Sequence, residues 1–311
     1  MKNSEVKKFV LEQIKNVKIQ NENIAEENLK KALFNEEFKN AYSLYKSLNI
    51  KKTKLNVLGE DTKQIDGELN AAKDKLQSVI KKLKLSTKDF KPNYSCKICS
   101  DSGEVGGEYC TCYYKKLNEQ LLKNLGANVD SAHNFENADF SIFDNSEQIK
   151  KLYKKVEEWC DNLSQSKCKT LVLSGDPGVG KTYLTECICN KLINKNLVVN
   201  YYSSFALNDL FYKYHTAFYQ NKAGLLDGVL ESDILIIDDF GSEPKTKATE
   251  EYFYAILNER LVKNKHTIIS TNLLPMQILD KYGERTFSRL NNKASSVMIK
   301  IENKDLRLKR K

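Results

Sequence analysis

A chain of 311 residues with 41% hydrophobic and 10% aromatic side chains is long enough for two domains and too apolar to stay disordered. Its formal charge of +9 favours a polyanionic partner, although a Lys-rich surface also serves solubility alone. No apolar run approaches the roughly 18–20 residues of a membrane helix, and the opening MKNSEVKKFVLEQ lacks a secretory core, so a cytoplasmic protein without membrane contact is expected.

Residues 1–50 read as helices. Val6, Val10 and Ile14 step by four, as do the pairs Leu29 with Leu33 and Phe34 with Phe38. Over 62–85, Ile65, Leu69, Ala72, Leu76, Val79 and Leu83 form a heptad seam. A helical hairpin within the chain and a two-chain coil both fit, and so short a seam favours the hairpin. Pro92 then stops the helical pattern.

A Cys-rich knot follows at 96–112. Cys96-x-x-Cys99 and Cys110-x-Cys112 are joined by ten residues rich in Gly and turn formers. In a reducing compartment, two close thiol pairs joined by a turn suit a tetrahedral Zn²⁺ site, with redox dithiols as the other reading. Cys160, Cys168, Cys187 and Cys189 read as core filler. Tyr113–Leu125 resumes a helix. Residues 126–145 are irregular and carry Phe135, Phe140 and Phe143, as a linker docking onto the next domain would. The expected division is 1–125, a linker at 126–147, and 148–311.

Beyond Gln148, strands and helices alternate, which predicts an α/β fold with a parallel sheet flanked by helices. Strands are expected at 170–174, 197–202, 233–238, 266–271 and 296–301. Helices are expected at 181–194, 205–220, 250–263 and 276–290. The segment Gly175-Asp176-Pro177-Gly178-Val179-Gly180-Lys181-Thr182 follows the first strand and opens a helix, the setting a phosphate-binding loop requires. Gly178 and Gly180 allow backbone N–H groups to face phosphate oxygens, and the helix N-terminus adds positive potential. Lys181 can reach the β- and γ-phosphates of ATP, and the Thr182 hydroxyl can ligate Mg²⁺. The apolar strand Ile234–Ile237 ends in Asp238 and Asp239. Asp238 is placed to hold Mg²⁺ through water, and Asp239 to orient or deprotonate the attacking water. Asn272, ending the next strand, can position that water.

Phe205–Lys222 carries seven aromatic or imidazole rings together with Lys213 and Lys222. Such a segment can stack bases and contact phosphates, or bury its rings as an amphipathic helix. Arginine is scarce: five residues against 45 Lys, all within Arg260–Arg310. An Arg here points to a place where a planar, multi-donor cation is needed.

The order of Gly175–Thr182, Ile234–Gly241, Ile268–Asn272 and Glu284-Arg285-Thr286-Phe287-Ser288-Arg289-Leu290 resembles the bacterial AAA+ helicase loaders of the DnaC/DnaI type. The transposition helper ATPases of the IstB type share this core. The resemblance covers about 135–311, and the knot also looks like that of Gram-positive loader relatives. It implies an AAA+ P-loop ATPase preceded by a helical domain with a small zinc knot. The first domain would bind a hexameric replicative helicase, and the ATPase domain would bind single-stranded DNA and form homo-oligomers with ATP. The chain would load that helicase onto DNA as replication begins; a transposition helper is the alternative. Arg289 stands where the family has its arginine finger, which enters the neighbouring subunit's ATP site. Arg307 falls near the second sensor, but Asn303 replaces a Gly common there, and a solvated basic tail is an equal reading. Most AAA+ proteins have Glu at the position of Asp239; the shorter Asp suits a slow, switch-like ATPase.

Overall fold

The structure, a computed structural model, describes residues 3–308. The chain divides into two compact units, one comprising Glu12–Gly107 and the other Glu108 onward together with the first residues up to Leu11. The expected domain boundary at 125 thus falls inside the second unit.

The 12–107 unit is helical. Most of α1 (Asn3–Leu33) belongs to it, followed by α2 (Glu36–Leu58) and α3 (Lys63–Lys82). Its core joins Ala32, Phe38, Ala41, Leu76, Val79 and Ile80, with Leu29, Leu33, Tyr42, Tyr45, Leu83 and Phe90 packed around them. The heptad seam of α3 therefore buries Ile65, Ala72, Leu76 and Val79 within the chain, with α2 as its partner, and the hairpin reading holds. Phe34 differs from expectation. It lies in the turn between α1 and α2 and is 89% exposed, because Asn35 caps α2 by accepting a bond from Phe38 N at 3.0 Å. The stripe therefore begins at Phe38.

A two-strand ribbon, β1 (Glu104–Val105) and β2 (Glu108–Tyr109), turns at Gly106 and Gly107, whose φ values are 62° and 88°. Two positive φ values in succession are the requirement of a tight hairpin turn. Next comes α4 (Thr111–Asn124).

The rest is a three-layer α/β unit: α5 (Ser146–Asp161), β3 (Thr170–Ser174), α6 (Lys181–Ile193), β4 (Val199–Ser203), α7 (Ser204–Thr216), α8 (Tyr219–Lys222), α9 (Asp227–Glu231), β5 (Ile234–Phe240), α10 (Lys247–Val262), β6 (His266–Thr271), α11 (Pro275–Leu290) and β7 (Ser296–Lys300). The five long strands pair in parallel in the order β4-β5-β6-β3-β7. Alternate residues face opposite layers, as strand pleating requires. Leu171, Leu173, Ile234, Ile236 and Ile268 join α5 and α6 in one core, while Val172, Leu235, Ile237 and Ile269 join α7, α10 and α11 in the other. Both faces are covered, so the strands read as continuous apolar runs. The edge strand β4 is capped by the buried Asn118 of α4, whose amide accepts from Val199 N at 2.9 Å and donates to Leu197 O at 2.8 Å.

The segment 126–145 has no helix or strand and packs onto the α5–α6 core. Phe143 is buried there, and the rings of Phe135 and Phe140 meet Tyr153 edge-on at 6.2 and 5.2 Å. Besides the β1–β2 ribbon and α5, further features were not expected from the sequence. The helix proposed over 205–220 stops at Thr216, α9 is additional, and α11 breaks at Gly283 (φ 74°, ψ 170°). Among the described residues, no helix is long and apolar enough to cross a membrane.

Candidate nucleotide site

The parallel sheet brings the C-terminal ends of β3, β5 and β6 side by side, and the site residues lie on the turns that leave them. After β3, the loop 175–180 turns at Gly178 (φ 79°) and Gly180 (φ 95°). A side chain on Gly178 would collide with Asp305, which lies against the loop. Lys181 is buried and curls back, donating to the carbonyls of Gly175 and Asp176 at 2.8 Å each. Burial holds its ammonium below the ordinary lysine range, and the nearby carboxylates of Asp239, Asp238 and Asp176 offset part of that fall. Thr182 is exposed at the start of α6.

The acid pair owes its presentation to an irregularity between β5 and β6. Ile237 pairs with Ile269 and Phe240 with Thr271, so Asp238 and Asp239 together stand opposite the single residue Ser270. Such a bulge re-aims side chains at a strand end. Asp239 sits at φ 55°, a conformation Asp tolerates better than most residues. Ser270 clips the bulge: its hydroxyl donates to the Asp238 carboxylate and accepts from Asp239 N at 2.9 Å. The amide of Asn272 donates to Asp239 Oδ1 at 3.0 Å. Asp239 and Asn272 are exposed, and Asp238 is half-buried.

These groups share one cavity of about 830 Å³, bordered by Lys181, Thr182, Asp238, Asp239, Asn272 and Arg307. Its remaining lining includes His133, Ala138, Ile142, Phe143, Tyr183 and Leu306, a largely apolar and aromatic wall. A volume of this order accommodates a nucleotide-sized ligand. Hard oxygen donors at Thr182 and Asp238 fit Mg²⁺, and Lys181 beside a helix N-terminus fits phosphate. Bound Mg²⁺ would neutralise charge on transferring phosphate.

Sequence reasoning did not single out Ser270, nor the support for the apolar wall. Glu186 of α6 pairs with His133 Nδ1 at 2.5 Å and accepts from Asp130 N at 3.3 Å, while Asn190 donates to the carbonyls of Asp130 and His133 at 2.8 and 2.7 Å. Two polar residues four apart on α6 thus peg 130–133 to the fold, a pattern that spacing alone does not distinguish from a solvated face. Arg307 borders the cavity, with its guanidinium on Asp305 at 3.0 and 2.9 Å, and Asn303 accepts from Asp144 N at 3.2 Å. Arg289, in the last turn of α11, is not among the residues lining this chain's cavity, and its Nε is buried without a hydrogen-bond partner.

The sulfurs of Cys96, Cys99, Cys110 and Cys112 all lie within 4.8 Å of one another. Four sulfurs about 2.3 Å from one ion would stand roughly 3.8 Å apart, so the donor set fits tetrahedral Zn²⁺. The Asp101 carboxylate braces the knuckle, accepting from Ser95 N and Cys96 N at 2.8 and 2.7 Å. Cys160, Cys187 and Cys189 are buried, as filler would be, and Cys168 is half-buried with its thiol on Thr170 O at 3.3 Å.

The aromatic segment divides. Phe211 is buried between α7 and α10, and Tyr214 and His215 meet Tyr252. Phe205, Tyr212, Phe218 and Tyr219 stay exposed, as does Lys213.

Part of the chain is similar to known proteins. The family described as "IstB-like ATP binding protein" matches residues 115–311. The uncharacterized protein YqaM of Bacillus subtilis (strain 168) is 26% identical over 230 residues, 68% of this chain and 70% of YqaM. The replicative helicase loader DnaC of Escherichia coli (strain K12) is 26% identical over 160 residues, 50% of this chain and 62% of DnaC. The chromosomal replication initiator DnaA of Wolbachia sp. subsp. Brugia malayi (strain TRS) is 29% identical over 196 residues, 62% of this chain but only 42% of DnaA. The chain thus spans less than half the length of that relative. Solved structures of the DnaC helicase loader and of DnaI are 22% and 23% identical, with TM-scores of 0.44 and 0.45. They cover 54% and 56% of this chain and 98% and 89% of theirs. With a phosphate-binding loop, an acid pair and an amide at adjacent strand ends, and the family match running from 115 to 311, the chain belongs to the IstB-like ATP binding proteins.

Proposed function

We propose that this protein is an ATP-switched loader that delivers a hexameric replicative helicase onto single-stranded DNA in the cytoplasm. The observation that carries the reading is the convergence of Lys181, Thr182, Asp238, Asp239 and Asn272 on one cavity. Lys181 and the 175–180 backbone hold the β- and γ-phosphates, and Thr182 and Asp238 hold Mg²⁺. Asp239 takes the proton of the attacking water, and Asn272, already bonded to it, orients that water. Arg307, at the cavity rim, senses the phosphates. Arg289 acts on the site of a neighbouring copy, so ATP favours a homo-oligomer. The short Asp239 side chain suits slow, switch-like turnover.

The exposed rings Phe205, Tyr212, Phe218 and Tyr219 stack bases, with Lys213 on the phosphates. The helicase is bound by the helical and zinc-bearing region 1–125, where Phe34, Val57 and Leu58 leave apolar surface exposed. Residues 126–147 connect it to the ATPase domain 148–311.

A second reading, an ATPase helper for DNA transposition, is favoured by the IstB-like description of the family match. The test uses the host's replicative helicase and closed circular single-stranded DNA. The loader reading expects the protein to bind the helicase and to leave it on the circle only with ATP. Lys181→Ala abolishes this delivery, and Asp239→Asn keeps ATP binding while losing turnover. Failure to bind the helicase, with capture of a transposase instead, would hand the function to the second reading.

A further inference from the structure

The loop after the acid pair holds a buried carboxylate that the chemistry above does not use. The Glu243 side chain is wholly inaccessible to solvent. Three donors converge on it from separate places: the hydroxyl of Ser204, first residue of α7; the hydroxyl of Tyr282 in α11; and the backbone N–H of Gly241 at 3.1 Å. Lys281 Nζ stands 3.5 Å from Glu243 Oε1 and donates to the carbonyls of Gly241 and Glu243 at 2.6 Å each. Burial, and then the carboxylate itself, raise the Tyr282 phenol above its ordinary range, so it remains a donor at neutral pH. The Tyr282 ring also stacks on Phe240 with centroids 4.2 Å apart.

Burying a carboxylate is unfavourable unless charge-assisted bonds offset the loss of water. An apolar side chain would fill the same space without that demand. What a carboxylate adds is directional connection between elements that are distant in sequence. Each element it touches carries one part of the proposed cycle. The turn Asp239–Gly241 presents the water-orienting acid, with Asp239 held at φ 55°. Ser204 immediately precedes the exposed ring of Phe205. Tyr282 immediately precedes the break at Gly283, beyond which α11 carries Arg285 and Arg289.

We propose that Glu243 is a positioning residue that couples these three elements. Movement of α7 on DNA, or of the far half of α11 against a neighbouring copy, passes through the Ser204 and Tyr282 bonds to Gly241 and so to the backbone of Asp239. Glu243 itself contacts neither nucleotide nor DNA. The proposal rests on the reading above of an ATPase that binds single-stranded DNA, and adds to it that turnover responds to that DNA.

The test measures ATP turnover of the full chain with and without a thymidine oligonucleotide, together with nucleotide Kd and Tm, for Glu243→Gln, Ser204→Ala and Tyr282→Phe. The two hydroxyl deletions remove one bond each and keep a folded protein available if Glu243→Gln fails to fold. The expected result is a Kd within about twofold of the original, a kcat lowered about 5- to 10-fold, and a DNA-on to DNA-off ratio moved towards one. Combining Tyr282→Phe with Glu243→Gln should add little, because both cut one connection. If the hydroxyl deletions lower Tm but leave kcat and the DNA ratio unchanged, Glu243 is a structural brace and the proposal is overturned. If the unsubstituted chain turns over ATP but shows no DNA response, the coupling proposal is overturned; if it neither turns over ATP nor binds the oligonucleotide, the underlying reading fails. Both outcomes are read before any variant is made.

Discussion

Arg260 is wholly buried in α10, and its guanidinium donates to Thr267 Oγ1, the carbonyls of Val229, Ser232 and His266, and Ser232 Oγ at 2.6 to 3.2 Å. Burial lowers its pKa to about 9, which still leaves it charged at neutral pH. One planar fork thus ties the end of α9 to the start of β6, a task the single ammonium of a lysine cannot span. Arg260→Lys should destabilise the protein by about 2–4 kcal/mol, read as a lower Tm with ATP affinity kept. An unchanged Tm would mean that the surrounding carbonyls find other donors. The scarcity of Arg in a Lys-rich chain did point to such a place, but not to which Arg was structural. Residues 175–182 and the pair Asp238–Asp239 could be singled out in the sequence because each is a run of neighbours, and the fold brings the two runs to one cavity. Ser270 and Glu243 could not be, because their partners lie 31 to 39 positions away and only the folded sheet brings them together.

At the scale of elements, periodicity found the sheet and the α2–α3 hairpin because both bury regular stripes. Local backbone features escaped it: the break at Gly283, the stop of α7 at Thr216, and the bulge that turns Asp239 outward. The Cys pairs were legible as spacing, and folding places their sulfurs within 4.8 Å. A knot with so few apolar residues would gain its stability from a bound metal, which we propose is zinc. Metal analysis should find about one zinc per chain, and Cys99→Ser should loosen the 96–112 region, seen as faster amide exchange, without loss of ATP binding. A folded protein free of metal would contradict this.

At the scale of the whole molecule, the proposed chemistry calls for a cation that neutralises charge at the transferring phosphate from outside. Arg307 borders the cavity but is engaged by Asp305, and Arg289 is not part of the cavity lining. We propose that a second copy of the chain supplies that cation. The proposed ATP site is then composite: Lys181, Asp238 and Asp239 from one chain and Arg289 from the next. The direct measurement is ATP turnover of Lys181→Ala and Arg289→Ala proteins, alone and mixed. Alone, each should turn over ATP at less than about one tenth of the original rate. Mixed, they should regain activity, because the first supplies Arg289 to the intact site of the second. No recovery, in mixtures that form oligomers of the original size, would contradict the account.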